Sequence, residues 1–326
     1  DPAGAQEQDV MTACRQAADW AEQRGLLATA LAFATAAALV SPTDAAAAAR
    51  IGRVARMRAE NARAETWYRR TIALARRSGD WLSYSEAFLR LGNLYRLRGN
   101  FPVARRFYLR GLRAARRHAL REVQGGALHG LFSVSREAYP PAEAQELARQ
   151  AFQVYGPGHP QLPDLAHQVA HFWMIQGWFA PALDVFRALV SHFHDSSVRL
   201  GHLANVVFTA GAVGDRAAFE VAWEEMWDAA AEWDRMPLAP LLLLTVAGGA
   251  RRLRDWARVE RAAETARDVA EREWMGWVVK EAERVLDAAR RRQAVEEAPV
   301  AASEGLEDTG SFAAELVSSL RKVTAE

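Results

Sequence analysis

Residues 90–108 read RLGNLYRLRGNFPVARRFY, and they contain two amphipathic runs that meet at a Gly-Asn pair. Before the pair, Leu91 and Leu94 recur at helical spacing, and after it Phe107 and Tyr108 begin a second apolar face. This periodicity predicts two helices, each with one apolar face.

The Gly-Asn pair itself predicts a turn between the two helices. Gly99 can take the left-handed conformation that ends a helix, and Asn100 is a suitable N-cap for the next one. Gly92 and Ala104 are small, which favours close approach of the two helices. The stretch is therefore predicted to be a helical hairpin.

The second half of this pattern recurs along the chain. Copies that begin at Ala64, Ala104 and Ala144 are 40 residues apart. Further copies occupy residues 30–37, 182–189, 219–226 and 259–266. Self-similarity at such a period predicts a solenoid of helix pairs.

The repeats resemble the tetratricopeptide repeat (TPR) family over roughly residues 11–270. The match is strongest in residues 85–118, at Phe88, Leu91, Gly92, Tyr95, Ala104, Tyr108 and Gly111. Spacings of up to 40 residues exceed the uniform 34 of the family. They are similar to the longer-helix versions of bacterial signalling and regulatory proteins. The resemblance implies a right-handed superhelix in which the first helix of each pair lines a concave groove.

We therefore expect an all-α, TPR-like solenoid of about seven antiparallel helix pairs over residues 11–293, with a capping helix near residues 271–292. Residues 1–10 are predicted to be a flexible N-terminus, and residues 294–310 an acidic flexible linker. Residues 311–323 then predict a short amphipathic helix that docks through Phe312, Leu316, Val317 and Leu320.

Composition excludes several classes of protein. The single Cys14 leaves no disulfide framework and favours a reducing compartment, so we expect a cytoplasmic location. The apolar stretches 26–40 and 238–250 are shorter than the roughly 20 residues that cross a bilayer. The first residues do not show a basic start followed by an apolar segment, so we expect no signal peptide. The chain begins at Asp1 instead of Met, as a processed product or a fragment would.

The sequence predicts no enzymatic activity and no cofactor. It contains no phosphate-binding glycine loop and no nucleophile elbow. Cys14 lies in an alanine-rich run and is predicted to be a small buried thiol. His167 and His171 are four residues apart, a spacing that can hold a metal, but no third ligand is evident. We expect both to line a groove or to pack in the core, and we expect no metal.

Charge is distributed unevenly along a chain whose net charge is only +1. The range from Arg50 to Arg121 contains 19 arginines and four acidic residues, whereas residues 215–326 contain 23 acidic and 16 basic residues. The TPR resemblance implies fixed groove-facing offsets in each first helix. These offsets select Arg50, Arg53, Arg56, Arg90, Asn93, Arg96, His129, Ser133, Arg136, His167 and His171.

These residues favour a non-enzymatic scaffold that binds an acidic or amphipathic peptide segment of a partner protein. Arginine forks suit carboxylates, and Asn93 can pair with a peptide backbone. Residues 311–323, beside their acidic linker, could dock in the same molecule or in a neighbouring one. Two alternatives stay open: nucleic-acid binding through Arg50–Arg121, and the sensor part of a larger signalling or effector system.

Overall fold

The computed structural model describes residues 2–193, 196–229, 233, 236–294 and 308–323. Within these residues the chain is helical, with sixteen α-helices and no strand. It divides into two compact units, Asp1–Tyr155 and Gly156–Glu326. The boundary between the two units falls at the Gly-Pro-Gly-His-Pro sequence of residues 156–160, where Gly156 and Gly158 both have positive φ. This boundary lies inside the range 11–293 that the sequence predicts as one array.

Unit 1 contains four antiparallel helix pairs, in which each helix packs against the next one along the chain. Its helices are α1 Pro2–Gln23, α2 Leu27–Val40, α3 Ala45–Met57, α4 Asn61–Ser78, α5 Trp81–Leu97, α6 Phe101–Arg117, α7 Arg121–Ala138 and α8 Pro141–Tyr155.

The predicted hairpin is confirmed in α5 and α6. Gly99 has a φ of 70°, and the side chain of Asn100 accepts a hydrogen bond of 3.3 Å from the backbone N–H of Val103. Many alanines and the large rings of Tyr68, Tyr108 and other aromatic residues are buried between the helices. Each fully buried large side chain of this kind contributes about 1.5–3 kcal/mol.

Residues 2–10 correct the expectation of a flexible N-terminus. They form the first turns of α1, which runs continuously to Gln23. Ala3, Ala5 and the following Gln-Glu-Gln have high helix propensity, so the helix extends beyond the amphipathic part that begins at Met11.

Unit 2 contains three further helix pairs and two additional helices. Its helices are α9 Leu162–Ile175, α10 Phe179–His192, α11 Ser196–Val213, α12 Arg216–Asp228, α13 Ala239–Arg252, α14 Trp256–Arg272, α15 Gly276–Arg290 and α16 Thr309–Val323. The capping helix α15 begins at residue 276 instead of 271. The reason is that α14 extends to Arg272 and Trp274 takes a left-handed conformation in the turn.

Helices α11 and α13 cross with their backbones in contact. A Cβ added to Gly211 would lie 2.8 Å from the carbonyl carbon of Gly249 and closer still to its oxygen. A Cβ added to Gly249 would lie 2.5 Å from the carbonyl oxygen of Val207. Both distances are shorter than van der Waals contact, so only glycine fits at this crossing.

The C-terminal helix α16 packs against α10 and, more lightly, against α9. Phe312, Leu316 and Leu320 are buried, and the ring of Phe312 meets that of Trp173 edge-on at 5.7 Å between centroids. Val317 is half-buried. The predicted acidic linker falls mostly on residues 295–307, which lie outside the described residues.

Candidate protein-binding surface of unit 1

The first helices of three successive pairs, α3, α5 and α7, are neighbours in unit 1. Arg56, Arg96 and Arg136 occupy the last turns of these helices, at positions 40 residues apart. Packed helices are about 8–10 Å apart, so the three positions form a ladder with roughly that spacing. The negative end of each helix dipole also suits a basic residue there.

Two of the predicted arginines, Arg50 and Arg53, form ion pairs with α1. Arg50 pairs with Asp19 and, at 2.9 Å, with Glu22, and only 14% of its side chain is exposed. Arg53 is 2.8 Å from the same Glu22 carboxylate. Arg50 therefore holds α3 to α1, contrary to its predicted role in binding a partner. Arg53 is partly available.

The remaining arginines differ in their pairing. Arg90 contacts Glu86 at 3.2 Å within α5, and Arg136 contacts its neighbour Glu137 at 3.2 Å. Exposed pairs of this type contribute little free energy and separate readily. Arg56 and Arg96 form no ion pair with any carboxylate in the described part of the chain. These two half-exposed guanidinium groups are therefore not neutralised by a described carboxylate, and each lies next to a buried tyrosine hydroxyl.

Two equivalent tyrosines lie beneath these arginines. A Cβ added to Gly52 would be 2.6 Å from the ring of Tyr68, and a Cβ added to Gly92 would be 2.6 Å from the ring of Tyr108. The absent Cβ atoms therefore let each ring pass between helices. This explains why small residues recur at these two positions of the repeat.

Both hydroxyls lie close to the arginine ladder. Burial raises the pKa of Tyr68, and the positive charges of Arg90, Arg56 and Arg53 oppose that rise. Burial likewise raises the pKa of Tyr108, with Arg96 in opposition. The effect of each guanidinium on a tyrosine places the two groups near each other.

Asn93 is oriented by one of these hydroxyls. Its Oδ1 accepts a hydrogen bond of 2.6 Å from the hydroxyl of Tyr108. One lone pair of this oxygen is therefore used inside the protein, and the NH2 group forms no hydrogen bond with another described residue. Asn93 can still pair with a peptide backbone, from a position held by Tyr108. We call Arg56, Arg90, Asn93 and Arg96 the arginine surface.

His129 and Ser133 are buried and lie outside the arginine surface. The hydroxyl of Ser133 donates to the backbone carbonyl of His129 at 3.0 Å, and the hydroxyl of Tyr155 is 3.4 Å from His129 Nδ1. In α7 the predicted groove-facing positions fall on buried residues, because the buried face of α7 is wider than those of α3 and α5. Both residues are part of the core of unit 1.

His167 and His171 belong to unit 2, so they are not grouped with the arginine surface. The ring of His167 is 6.2 Å from that of His171 and 5.1 Å from that of His202, a residue that the sequence did not single out. Burial, followed by the charges of His167 and His192, lowers the pKa of His202 to about 4. Within the described residues, no three or more His, Cys, Asp or Glu side chains are grouped as a metal ion requires.

The tryptophans of unit 2 fall into two groups. Trp223, Trp227 and Trp233 pack in series, with centroids 5.4 and 4.5 Å apart. In the turn before α15, Trp274 is 94% exposed, and Trp277 at the start of that helix is 62% exposed. In the first group Trp223 and Trp233 are buried and Trp227 is half-buried, whereas the second group lies on the surface.

Residues 44–117, which include the arginine surface, match a family model described as tetratricopeptide repeat. Three solved structures are similar to the chain. RapI in its apo form has 13% identity and a TM-score of 0.56, over 86% of this chain and 98% of that one. The pilF protein of Pseudomonas aeruginosa has 18% identity and a TM-score of 0.55, over 68% and 91%. A tetratricopeptide repeat protein from Parabacteroides merdae has 14% identity and a TM-score of 0.54, over 86% and 99%.

At these identities the likeness to solved structures shows the fold alone, and no curated protein sequence matches the chain. The helical hairpins and the matched repeats define a protein built from tandem helix pairs. The chain is a TPR-like repeat protein. Repeats of this family generally serve as protein-interaction scaffolds and are typically non-catalytic. Among the described residues, no helix has both the length and the apolar character needed to span a membrane.

Proposed function

We propose that the chain binds an acidic segment of a partner protein along the arginine surface of unit 1. One observation carries this proposal: Arg56 and Arg96 occupy equivalent positions on adjacent helices, and neither has a carboxylate partner in the described part of the chain. Their guanidinium forks match the planar geometry of carboxylates.

The spacing of the arginines sets the pattern of the ligand. An extended peptide advances about 3.3 Å per residue, so the separation of roughly 8–10 Å between neighbouring helices corresponds to about three residues. We therefore expect two acidic residues about three positions apart, one for each arginine. Asn93 lies on α5, as Arg96 does, and its side chain is held by the hydroxyl of Tyr108. Its NH2 group suits a peptide carbonyl between the two acidic residues.

The partly paired residues would act as secondary contacts. Arg90 can leave Glu86 at low cost because their pair is exposed, and the exposed Leu97 and Met57 adjoin the two arginines in sequence. An acidic segment with an apolar residue would use both kinds of contact. Its affinity would fall as ionic strength rises, because exposed charges are screened.

Selection of peptides from a random display library on the full chain tests this proposal. We expect enrichment of sequences with Asp or Glu about three positions apart. Binding of a selected peptide is then measured by fluorescence anisotropy for the wild type and for the double variant Arg56→Gln with Arg96→Gln. The matched control is Arg76→Gln with Arg77→Gln, because these arginines are exposed at the end of α4.

The first variant should lose at least about tenfold in affinity, since two charge-assisted contacts are removed, whereas the control should stay close to the wild type. Selected peptides without acidic residues would contradict the proposal. Equal losses in the two variants would show a general charge effect and would contradict it as well.

A further inference from the structure

A second candidate site lies in unit 1, at the opposite end of α5 from the arginine surface. Trp81 begins α5 and Arg96 lies in its last turn, about 22 Å away along the helix axis. The site is a cleft of about 380 Å³ where the start of α5 meets the end of α6. We call it the aromatic cleft. Its walls are formed by Trp81, Tyr84, Phe88, Arg110, Arg113, Ala114, Arg117 and His118.

Flat rings form one wall of the aromatic cleft. Trp81 and His118 stack face to face, with centroids 4.5 Å apart and planes within 8°. Tyr84 meets Trp81 edge-on at 5.6 Å and Phe88 edge-on at 5.0 Å. Trp81, Tyr84 and His118 are only half-buried, so part of their ring surface remains open to a ligand.

Three arginines of α6 form the other wall. Arg110, Arg113 and Arg117 are exposed, and their spacing places them on one face of the helix. None of them forms an ion pair in the described part of the chain, and no acidic residue lines the cleft. Three like charges on one helix face repel each other, and a bound polyanion would relieve this repulsion.

We propose that the aromatic cleft binds a nucleoside polyphosphate. The base lies against the rings of Trp81 and His118, and the phosphates extend along Arg110, Arg113 and Arg117. A bare polyanion would leave the rings unused, whereas an aromatic ligand without charge would leave the three guanidinium groups uncompensated. The volume suits a single heterocycle with its phosphates at the rim, and it lies at the lower end of the range for small-molecule sites.

Arginine and stacked rings together also match an acidic peptide with an aromatic residue, or single-stranded RNA. We favour the nucleotide because three adjacent arginines concentrate more positive charge than the widely spaced carboxylates of a peptide would use. RNA needs a continuous basic track for several nucleotides, whereas this cleft accommodates one ring.

The test is isothermal titration calorimetry of the full chain with four probes: ATP, GTP, adenosine and tripolyphosphate. We expect ATP or GTP to bind at least about tenfold more tightly than either adenosine or tripolyphosphate, because stacking and phosphate contacts each contribute. An octanucleotide of RNA and an acidic peptide that contains one tryptophan serve as competing ligands.

Two variants locate the binding. The double variant Arg113→Gln with Arg117→Gln should lose at least about tenfold in nucleotide affinity, and Trp81→Leu should reduce affinity for ATP but not for tripolyphosphate. Arg76→Gln with Arg77→Gln again serves as the control of equal charge. Circular dichroism shows whether Trp81→Leu is folded, and the arginine variant tests the proposal independently of that result.

Several results would overturn the proposal. These are tripolyphosphate binding as tight as that of ATP, no nucleotide binding at about millimolar concentration, or an arginine variant that behaves like its control. Binding of RNA or of the acidic peptide without binding of a mononucleotide would overturn it too. Loss of nucleotide binding with unchanged peptide binding at the arginine surface would separate this site from the one proposed above.

Discussion

The backbone contact between α11 and α13 makes Gly211→Ala a sharp test of the packing in unit 2. The new Cβ would lie 2.8 Å from the carbonyl carbon of Gly249 and closer to its oxygen, and neither is part of a flexible side chain. The two helices must therefore separate by about 1 Å, and a gap of that size removes a quarter to a half of each dispersion contact at the crossing. We expect a loss of about 2–3 kcal/mol, after about 0.5–1 kcal/mol of improved helix propensity is deducted.

Gly201→Ala is the matched control, because it makes the same substitution in the same helix. No atom lies within 4 Å of the Cβ position at Gly201, so only the propensity gain applies and the variant should be more stable by about 0.5–1 kcal/mol. Urea unfolding followed by circular dichroism measures both changes. Hydrogen exchange in peptides from α11 and α13 shows whether the loss is located in unit 2.

The test depends on which of the two variants has the lower free energy of unfolding. If Gly211→Ala were as stable as the wild type, the helices would be able to separate without cost, and the close crossing would not hold unit 2 together. If Gly201→Ala were the more destabilised variant, the assignment of the tight and open faces of α11 would be wrong.

Three further predictions concern other residues of unit 2. The pKa of His202 is about 4 in the folded chain against 6.5 for an ordinary histidine, so the unfolded state binds a proton first as the pH falls. The contribution of neutral His202 to the free energy of unfolding should be complete above pH 6.5, and about 3 kcal/mol of it should be lost as the pH falls from 6.5 to 4. Urea unfolding across this range measures the loss. His202→Leu should make the free energy of unfolding less dependent on pH. Phe312→Ala removes the ring that packs against Trp173 and should release α16, with a loss of helical circular dichroism and rapid hydrogen exchange in that helix only; slow exchange in the variant would contradict this. Trp274→Gly should raise the stability of the chain by about 1 kcal/mol. The variant loses few contacts because the Trp274 side chain is exposed, and glycine adopts the φ of 57° without strain. A lower melting temperature would contradict this.

The fold was largely predictable because its signals are local. Gly99 and Asn100 mark a turn through backbone conformation and capping, and the period of about 40 residues marks the hairpins. The N-terminal turns of α1 were missed because propensity, and not amphipathic pattern, extends that helix. The division at residue 156 is visible as a Gly- and Pro-rich segment, but only the contacts show that it separates two units.

The candidate site was less predictable because it depends on contacts that are distant in sequence. Arg50 pairs with Glu22, which lies 28 residues away on another helix, and nothing in the local pattern reveals that pair. The hydrogen bond from the Tyr108 hydroxyl to Asn93 joins two helices in the same way and is not visible in the local pattern either. The stacking of Trp81 on His118 depends on the antiparallel hairpin, which brings the start of α5 next to the end of α6, so no local pattern in the sequence indicates it.

The position of α16 gives unit 2 a topology that an open repeat array lacks. In such an array each hairpin contacts only its neighbours, so terminal repeats can unfold alone while the rest persists. Here the last helix packs against α9 and α10, more than a hundred residues earlier in the chain, and it joins the beginning of the unit to its end. Unit 2 can complete its native contacts only after its last residues have been synthesised, and unfolding from the first hairpin must also release the final helix. We therefore expect it to fold more slowly and to unfold more cooperatively than a linear stack of the same hairpins.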